Sequence, residues 1–223
     1  MKIRLAKYLA DHGLCSRRAA SRLIDEGRVL VNHRPANHID HVDADDLILV
    51  DGQPFAAITE KYYLLYHKPV GIDCNLNPEK ADSLYHLLQQ FPMRLFPVGR
   101  LDKDSCGLVL LTNDGELAQR LLHPDFYHEK TYQVTVDKAL TTQALEQLAS
   151  GVSWTVGSHS YQSRPCQVTQ LSADSFEIVL TQGLNRQIRY MCRTQGFKVL
   201  QLKRIQLAEF SLADLAEGCF KAV

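Results

Sequence analysis

The sequence predicts an α+β fold in two domains: a small N-terminal one over residues 1–55 and a larger one over 62–223 with a mixed, largely antiparallel sheet. Three observations predict it. Residues 1–55 hold two short helical periods followed by two short alternating strands. The weakly patterned stretch QPFAAITEK, residues 53–61, reads as a hinge. Beyond it, strands and helices mix without the regular alternation of a parallel sheet.

In the first domain, Leu5, Tyr8 and Leu9 recur at spacings of three and four, and Gly13 fits a helix stop. Ser16 is placed to cap a second helix, whose apolar stripe is Ala19, Ala20, Leu23 and Ile24 and whose end is Gly27. RVLVN and LILVDG then read as strands. A type I′ hairpin turn after Val31 would require positive φ at both central residues, which His33 accepts at some cost. Arg17, Arg18 and Arg22 gather at the start and along one side of the second helix. Positions 18 and 22 are one turn apart, so their guanidinium groups either engage neighbouring phosphates or form a solvated face. Net charge is zero, yet residues 1–34 hold eight Lys/Arg against three Asp/Glu, while 35–55 hold five acids and no Lys/Arg. Any basic surface is therefore local to the N-terminal helices.

The larger domain opens with the strand YYLLYHKPVG, which must end or lie at an edge where Lys68 meets Pro69, because proline donates nothing to a ladder. There follow a helix in SLYHLLQQF, the strand LVLLT, an Asn-Asp-Gly turn and the helix ELAQRLLH. Next come the strand KTYQVTV, the helix TTQALEQLAS, and strands in RPCQVTQL and SFEIVLT. The helix NRQIRYMCRTQ, closed by Gly196, and the strand FKVLQLKRIQL complete the pattern.

Two stretches carry chemistry. In GRLDKDSCGL, Arg100, Asp102 and Asp104 alternate, and alternate positions of an extended segment face one side. Two such carboxylates read either as an acid/base pair of the glycosidase kind or as one reactive carboxylate beside a turn-maker. In QGLNRQIRYMCRTQG, Asn185 is placed to cap a helix. Arg186, Arg189 and Arg193 would share one face of it, opposite a core stripe of Ile188, Met191 and Cys192. Three arginines without an interleaved acid favour anion recognition.

Other classes are excluded. The six cysteines form no CxxC pair and fit neither a zinc ribbon nor a disulfide framework, which suits free thiols in a reducing cytoplasm. No apolar run approaches the roughly 20 residues of a membrane span, and the charged N-terminus lacks a signal-peptide core. A hydrophobic share of 45% suffices for a packed core, and 22% charged residues argue against global disorder.

The string SRRAASRLIDEGRVLVN with the later VDADDLILV resembles the RNA-binding domain first seen in ribosomal protein S-four, over about residues 3–52. KPVG, GRLDKDSCGL, HEKTY and QGLNRQIRYM occur in the order and at the separations of the RsuA-type ribosomal RNA pseudouridine synthases, and most resemble the RluF branch, which acts on large-subunit ribosomal RNA. The resemblance implies that uridine is isomerised to pseudouridine without cofactor or metal. It implies a catalytic Asp102 paired with Arg189, and Tyr132 stacked on the target base. It places Arg100 in the space the flipped base vacates, and Lys68 and Lys130 at phosphates or loops. Arg17, Arg18, Arg22, Asn185 and Arg186 would bind RNA. The implied partner is ribosomal RNA or an assembling ribosomal subunit, with no membrane and no obligate protein partner. Two positions depart from the family, Tyr190 and Gln206, where it often has basic residues, and His33 stands where it usually has Gly. The competing readings are an RNA-binding relative without turnover and a nucleoside or glycoside hydrolase using Asp102 and Asp104.

Overall fold

The computed structural model describes residues 1–223, the Pro124 side chain excepted, and divides them into two compact units. The first comprises Met1–Tyr62 with Leu88–Phe96 and Asn113–Gly115, and the second comprises the remainder.

In the first unit the helices Leu5–Asp11 and Arg17–Asp25 form where the apolar spacing predicts them. Ser16 Oγ accepts the Ala19 amide at 3.2 Å and so satisfies one of the orphan donors of the second helix. Leu5, Leu9, Ala20 and Ile24 pack with Val29, Val31, Val42 and Ile48 into one core. The strands Val29–Val31 and Ile48–Val50 pair antiparallel at the centre of a four-stranded sheet. Val31 faces Arg34 across a hairpin whose central residues, Asn32 and His33, have φ of 50° and 67°. The type I′ turn therefore forms with histidine in the usual glycine place. Asn32 is held there on both sides, its Nδ2 donating to Asp46 at 2.8 Å and its Oδ1 accepting from the Leu47 amide at 3.0 Å.

The second unit is built on a nine-stranded sheet. Its main path runs Gln167–Gln170, Ser175–Leu180, Lys130–Val136, Val199–Leu207, Cys106–Thr112, Tyr63–Lys68 and Phe220–Ala222. Neighbours are antiparallel except where Val199–Leu207 meets Cys106–Thr112 in parallel, Lys203 opposite Cys106 and Arg204 opposite Gly107. The helices Thr142–Ser150 and Gln187–Thr194 supply Ala144, Leu148, Ile188, Met191 and Cys192 to a core with Val134, Val136, Phe176, Ile178 and Leu202. The strand Tyr63–Lys68 stops one residue short of Pro69, as the missing proline N–H requires. Among the described residues all six cysteines are free, and no helix is long and apolar enough to cross a membrane.

Gly107 is fixed by the parallel junction. A Cβ there would run into the Arg204 carbonyl and stand 2.6 Å from the Arg204 nitrogen, and the residue's φ is +108°. Gly107→Ala should lower stability by at least about 2 kcal/mol in urea denaturation. Gly157→Ala, with positive φ but open space around it, should lose only about 1 kcal/mol. Equal losses at the two positions would refute a steric origin at the junction.

Candidate active site

The chemistry-bearing residues converge on a cavity of about 760 Å³ in the second unit. Asp102, Asp104, Arg100, Tyr132, Asn185 and Arg186 all line it. Its floor is the entry to the strand Cys106–Thr112. Here the chain is not extended, as the alternation of Arg100, Asp102 and Asp104 suggested. The Ser105 amide donates to the Asp102 carbonyl at 3.0 Å, closing a tight turn over 102–105. Around it, the Gly71 amide donates to the Lys103 carbonyl at 2.8 Å, and Lys103 Nζ meets Asp82 at 2.6 Å.

The turn presents its carboxylates to the entry of the helix Gln187–Thr194. Arg186 precedes that helix in left-handed conformation, φ 51°. Its Nη1 and Nη2 donate to Asp104 Oδ1 and Oδ2 at 3.1 and 2.8 Å, and Nη1 lies 3.8 Å from Asp102 Oδ2. Arg189, one turn further on, donates from Nη2 to the Asp104 carbonyl at 2.7 Å and to Ser105 Oγ at 3.1 Å, and lies 3.3 Å from Asp104 Oδ1. The bidentate Arg186 guanidinium, aided by Arg189, holds the Asp104 carboxyl below the usual carboxylate range.

Three site expectations need correction. Arg189 does not pair with Asp102. Because the chain turns at 102–105, Arg189 meets the Asp104 side of the turn, and Arg186 is the guanidinium beside Asp102. Arg186, Arg189 and Arg193 do not form one helical row, since Arg186 lies outside the helix, and Arg193 is exposed. Asn185 does not cap the helix. Its cap position is Arg186, which makes no side-chain capping bond, while Gln187 Oε1 closes the entry by accepting the Leu184 amide at 3.1 Å.

Lys68 is not free to meet phosphate. Lys68 is 0% exposed, and its ammonium donates to the Pro69 and Ile72 carbonyls at 2.8 and 2.7 Å. It fixes the loop beside the cavity, and burial pushes its pKa down. Lys130 is half-buried and donates to the His128 carbonyl at 2.8 Å. Tyr132, on the same strand, is half-buried and does face the cavity. Arg100 is exposed at its rim. In the first unit, Arg17, Arg18 and Arg22 are all exposed. Asp46, Asp11, Asp51 and Asp40 take up Lys2, Lys7, Arg28 and Arg34. Arg17 lies 3.7 Å from Asp11, and among the described residues Arg18 and Arg22 have no ion pair.

The residues missed by sequence reasoning are Ser105, which accepts from Arg189, and Gln187, which shapes the helix entry. The finished arrangement is one partly solvent-accessible carboxylate, Asp102, beside a cation and in the same cavity as the Tyr132 ring, with a second carboxylate paired to two arginines. A general acid needs a raised pKa. Asp104 has the opposite shift, so it is not the general acid of a glycosidase pair.

Comparison with known proteins identifies the class. Residues 62–194 match the family model for RNA pseudouridylate synthase, and residues 3–48 match the S4 domain model. The chain is 38% identical over 97% of its length to the dual-specificity RNA pseudouridine synthase RluF of Escherichia coli, covering 73% of that protein. It is 34% identical to the ribosomal large subunit pseudouridine synthase B of Bacillus subtilis, over 96% of this chain and 89% of that one. A crystal structure of a pseudouridylate synthase superposes with a TM-score of 0.69 at 26% identity, covering 99% of this chain and 96% of the other. The chain thus belongs to the RNA pseudouridine synthase family, of the kind that carries an N-terminal S4 domain. It is an isomerase.

The Asp104 ion pair has a pH signature. Because its folded pKa is depressed, its contribution to stability is complete above the unfolded value, about 4, and is lost as pH falls through the folded value. The melting-temperature gap between the wild type and Asp104→Asn should therefore be present at about pH 7 and shrink at about pH 3. A gap unchanged between those conditions would contradict the pairing.

Proposed function

We propose that this chain converts a specific uridine of ribosomal RNA, in the large subunit, to pseudouridine in the cytoplasm, with Asp102 as the reacting group. Residues 1–55 grip the RNA and residues 62–223 carry out the reaction. The observation that carries the reading is the separation of roles in the cavity. Asp104 takes both arginines, whereas Asp102, partly exposed, lies 3.8 Å from Arg186 and in the same cavity as Tyr132.

The exposed face of Arg17, Arg18 and Arg22 meets the phosphate backbone, the sequence-independent part of the affinity. The target uridine leaves its stack at a cost of a few kcal/mol. Arg100, exposed at the rim, fills the space, and the base lies against Tyr132. The Asp102 carboxylate then attacks the ribose or removes a proton from it as the glycosidic bond breaks. The detached base turns and rejoins the sugar through carbon 5. The product is an isomer of the substrate, so the balance requires no oxidant, reductant or group donor. Asn185 borders the cavity as an amide within reach of the bound nucleotide.

The test is incubation of ribosomal RNA lacking the modification with wild type and Asp102→Asn, followed by chemical-adduct mapping of pseudouridine. Wild type should modify a discrete site, and the variant should be slower by at least about 100-fold. Tight binding without pseudouridine would leave only an RNA-binding relative, and release of free uracil would mark a hydrolase.

A further inference from the structure

Outside the cavity, the second unit carries a concentration of exposed aromatic surface in the six residues HPDFYH, 123–128. Phe126 is 57% exposed and Tyr127 55%. The Phe126 ring lies 5.6 Å from His123 and 6.2 Å from His128, so the rings form a cluster. Arg164 sets its guanidinium over the Tyr127 ring at 4.4 Å. That covers one face of the ring and leaves the exposed part open. Among the described residues Arg164 has no carboxylate partner, and its buried Nη1 makes no hydrogen bond. The cation therefore stays unneutralised beneath the aromatic surface.

The cluster is tied to the cavity at two points. The Arg164 amide donates at 2.7 Å to Oε1 of Gln182, which lines the cavity. Lys130 holds the His128 carbonyl at the start of the strand that carries Tyr132. Tyr127 and Tyr132 are five residues apart, at most about 17 Å along the chain. A nucleic-acid strand with its reacting base at Tyr132 has this surface within reach.

We propose that Phe126 and Tyr127, with Arg164 behind them, form a stacking surface for unpaired bases of the RNA adjoining the target uridine. The proposal rests on the reading of the cavity given above. Exposed rings offer π-faces that accept any base, and a cation beside them matches the charge of the strand. A paired duplex keeps its bases stacked on one another and offers none to the rings. The surface therefore selects RNA that is single-stranded next to its target, a selection that Arg17, Arg18 and Arg22 cannot make through phosphates alone.

The experiment compares the full chain with Phe126→Ala, Tyr127→Ala and the double variant, each first confirmed to melt like wild type. Binding is read by fluorescence anisotropy with a labelled oligoadenylate and with a fully paired duplex of the same length. The double variant should bind the single strand about ten-fold more weakly and the duplex as wild type does. On unmodified ribosomal RNA it should raise KM and leave kcat unchanged, and Tyr127→Phe with Phe126→Tyr should restore KM. Unchanged single-strand binding would overturn the proposal, as it would if the surface docked a protein instead. An equal loss on duplex would also overturn it. The binding arm needs no turnover, so absence of pseudouridine from wild type would refute the reading of Asp102 without deciding the stacking surface.

Discussion

Two arginines closing on one four-residue turn are the interaction on which the site depends. Arg186 takes both oxygens of Asp104, and Arg189 takes its carbonyl and the hydroxyl of Ser105. Together they join residues 102–105 to a helix entry more than eighty positions away in sequence. The clamp neutralises one carboxylate and leaves its neighbour at the cavity with a cation nearby. A pair of adjacent acids would otherwise repel, and each would raise the other's pKa. The geometry gives them different surroundings: Asp104 is held by both arginines, and Asp102 lies 3.8 Å from Arg186.

The sheet makes that clamp possible. Arg204 is 3% exposed, and its Nε donates to the Leu108 carbonyl at 2.8 Å. Its side chain thereby joins the two parallel strands just past Gly107, which pairs with Arg204. This junction holds the start of Cys106–Thr112, and so the turn before it, at a fixed place in the sheet. Arg189 also reaches the Val199 carbonyl, at 3.4 Å, so the same guanidinium touches the strand that forms the other side of the junction. Positioning of Asp102 is thus a property of the sheet as much as of the loop.

Much of this was legible from local rules. Helix spacing, the Ser16 cap, the core stripe of Ile188, Met191 and Cys192, and the end of a strand before Pro69 each depend on residues within a turn or two of one another. The identity of the cavity-forming motifs was legible too. What escaped was set by long-range geometry. No spacing rule shows that Arg186 adopts a left-handed conformation outside the helix, so the row of three arginines looked continuous. No local pattern reveals that Lys68 is fully enclosed, because its burial comes from the neighbouring strands and the loop it ties. The partner of Arg189 changed for the same reason: a turn, invisible to period-two alternation, brought Asp104 round to it. Tyr190 was legible only as a lost charge, and in the fold it stacks on Trp154 at 6.2 Å, with the planes 7° apart.

The strand Phe220–Ala222 has a consequence for biogenesis. It pairs with Tyr63–Lys68, and the His67 amide donates to the Cys219 carbonyl. These partners lie about 150 residues apart, a contact of high order whose loop closure slows folding. On the ribosome, the strand segment YLLYHK emerges long before its outer neighbour exists. During that interval one side of it presents open amides and carbonyls, the template on which nascent chains aggregate. Closure of this edge therefore waits on a three-residue strand made about 150 residues later.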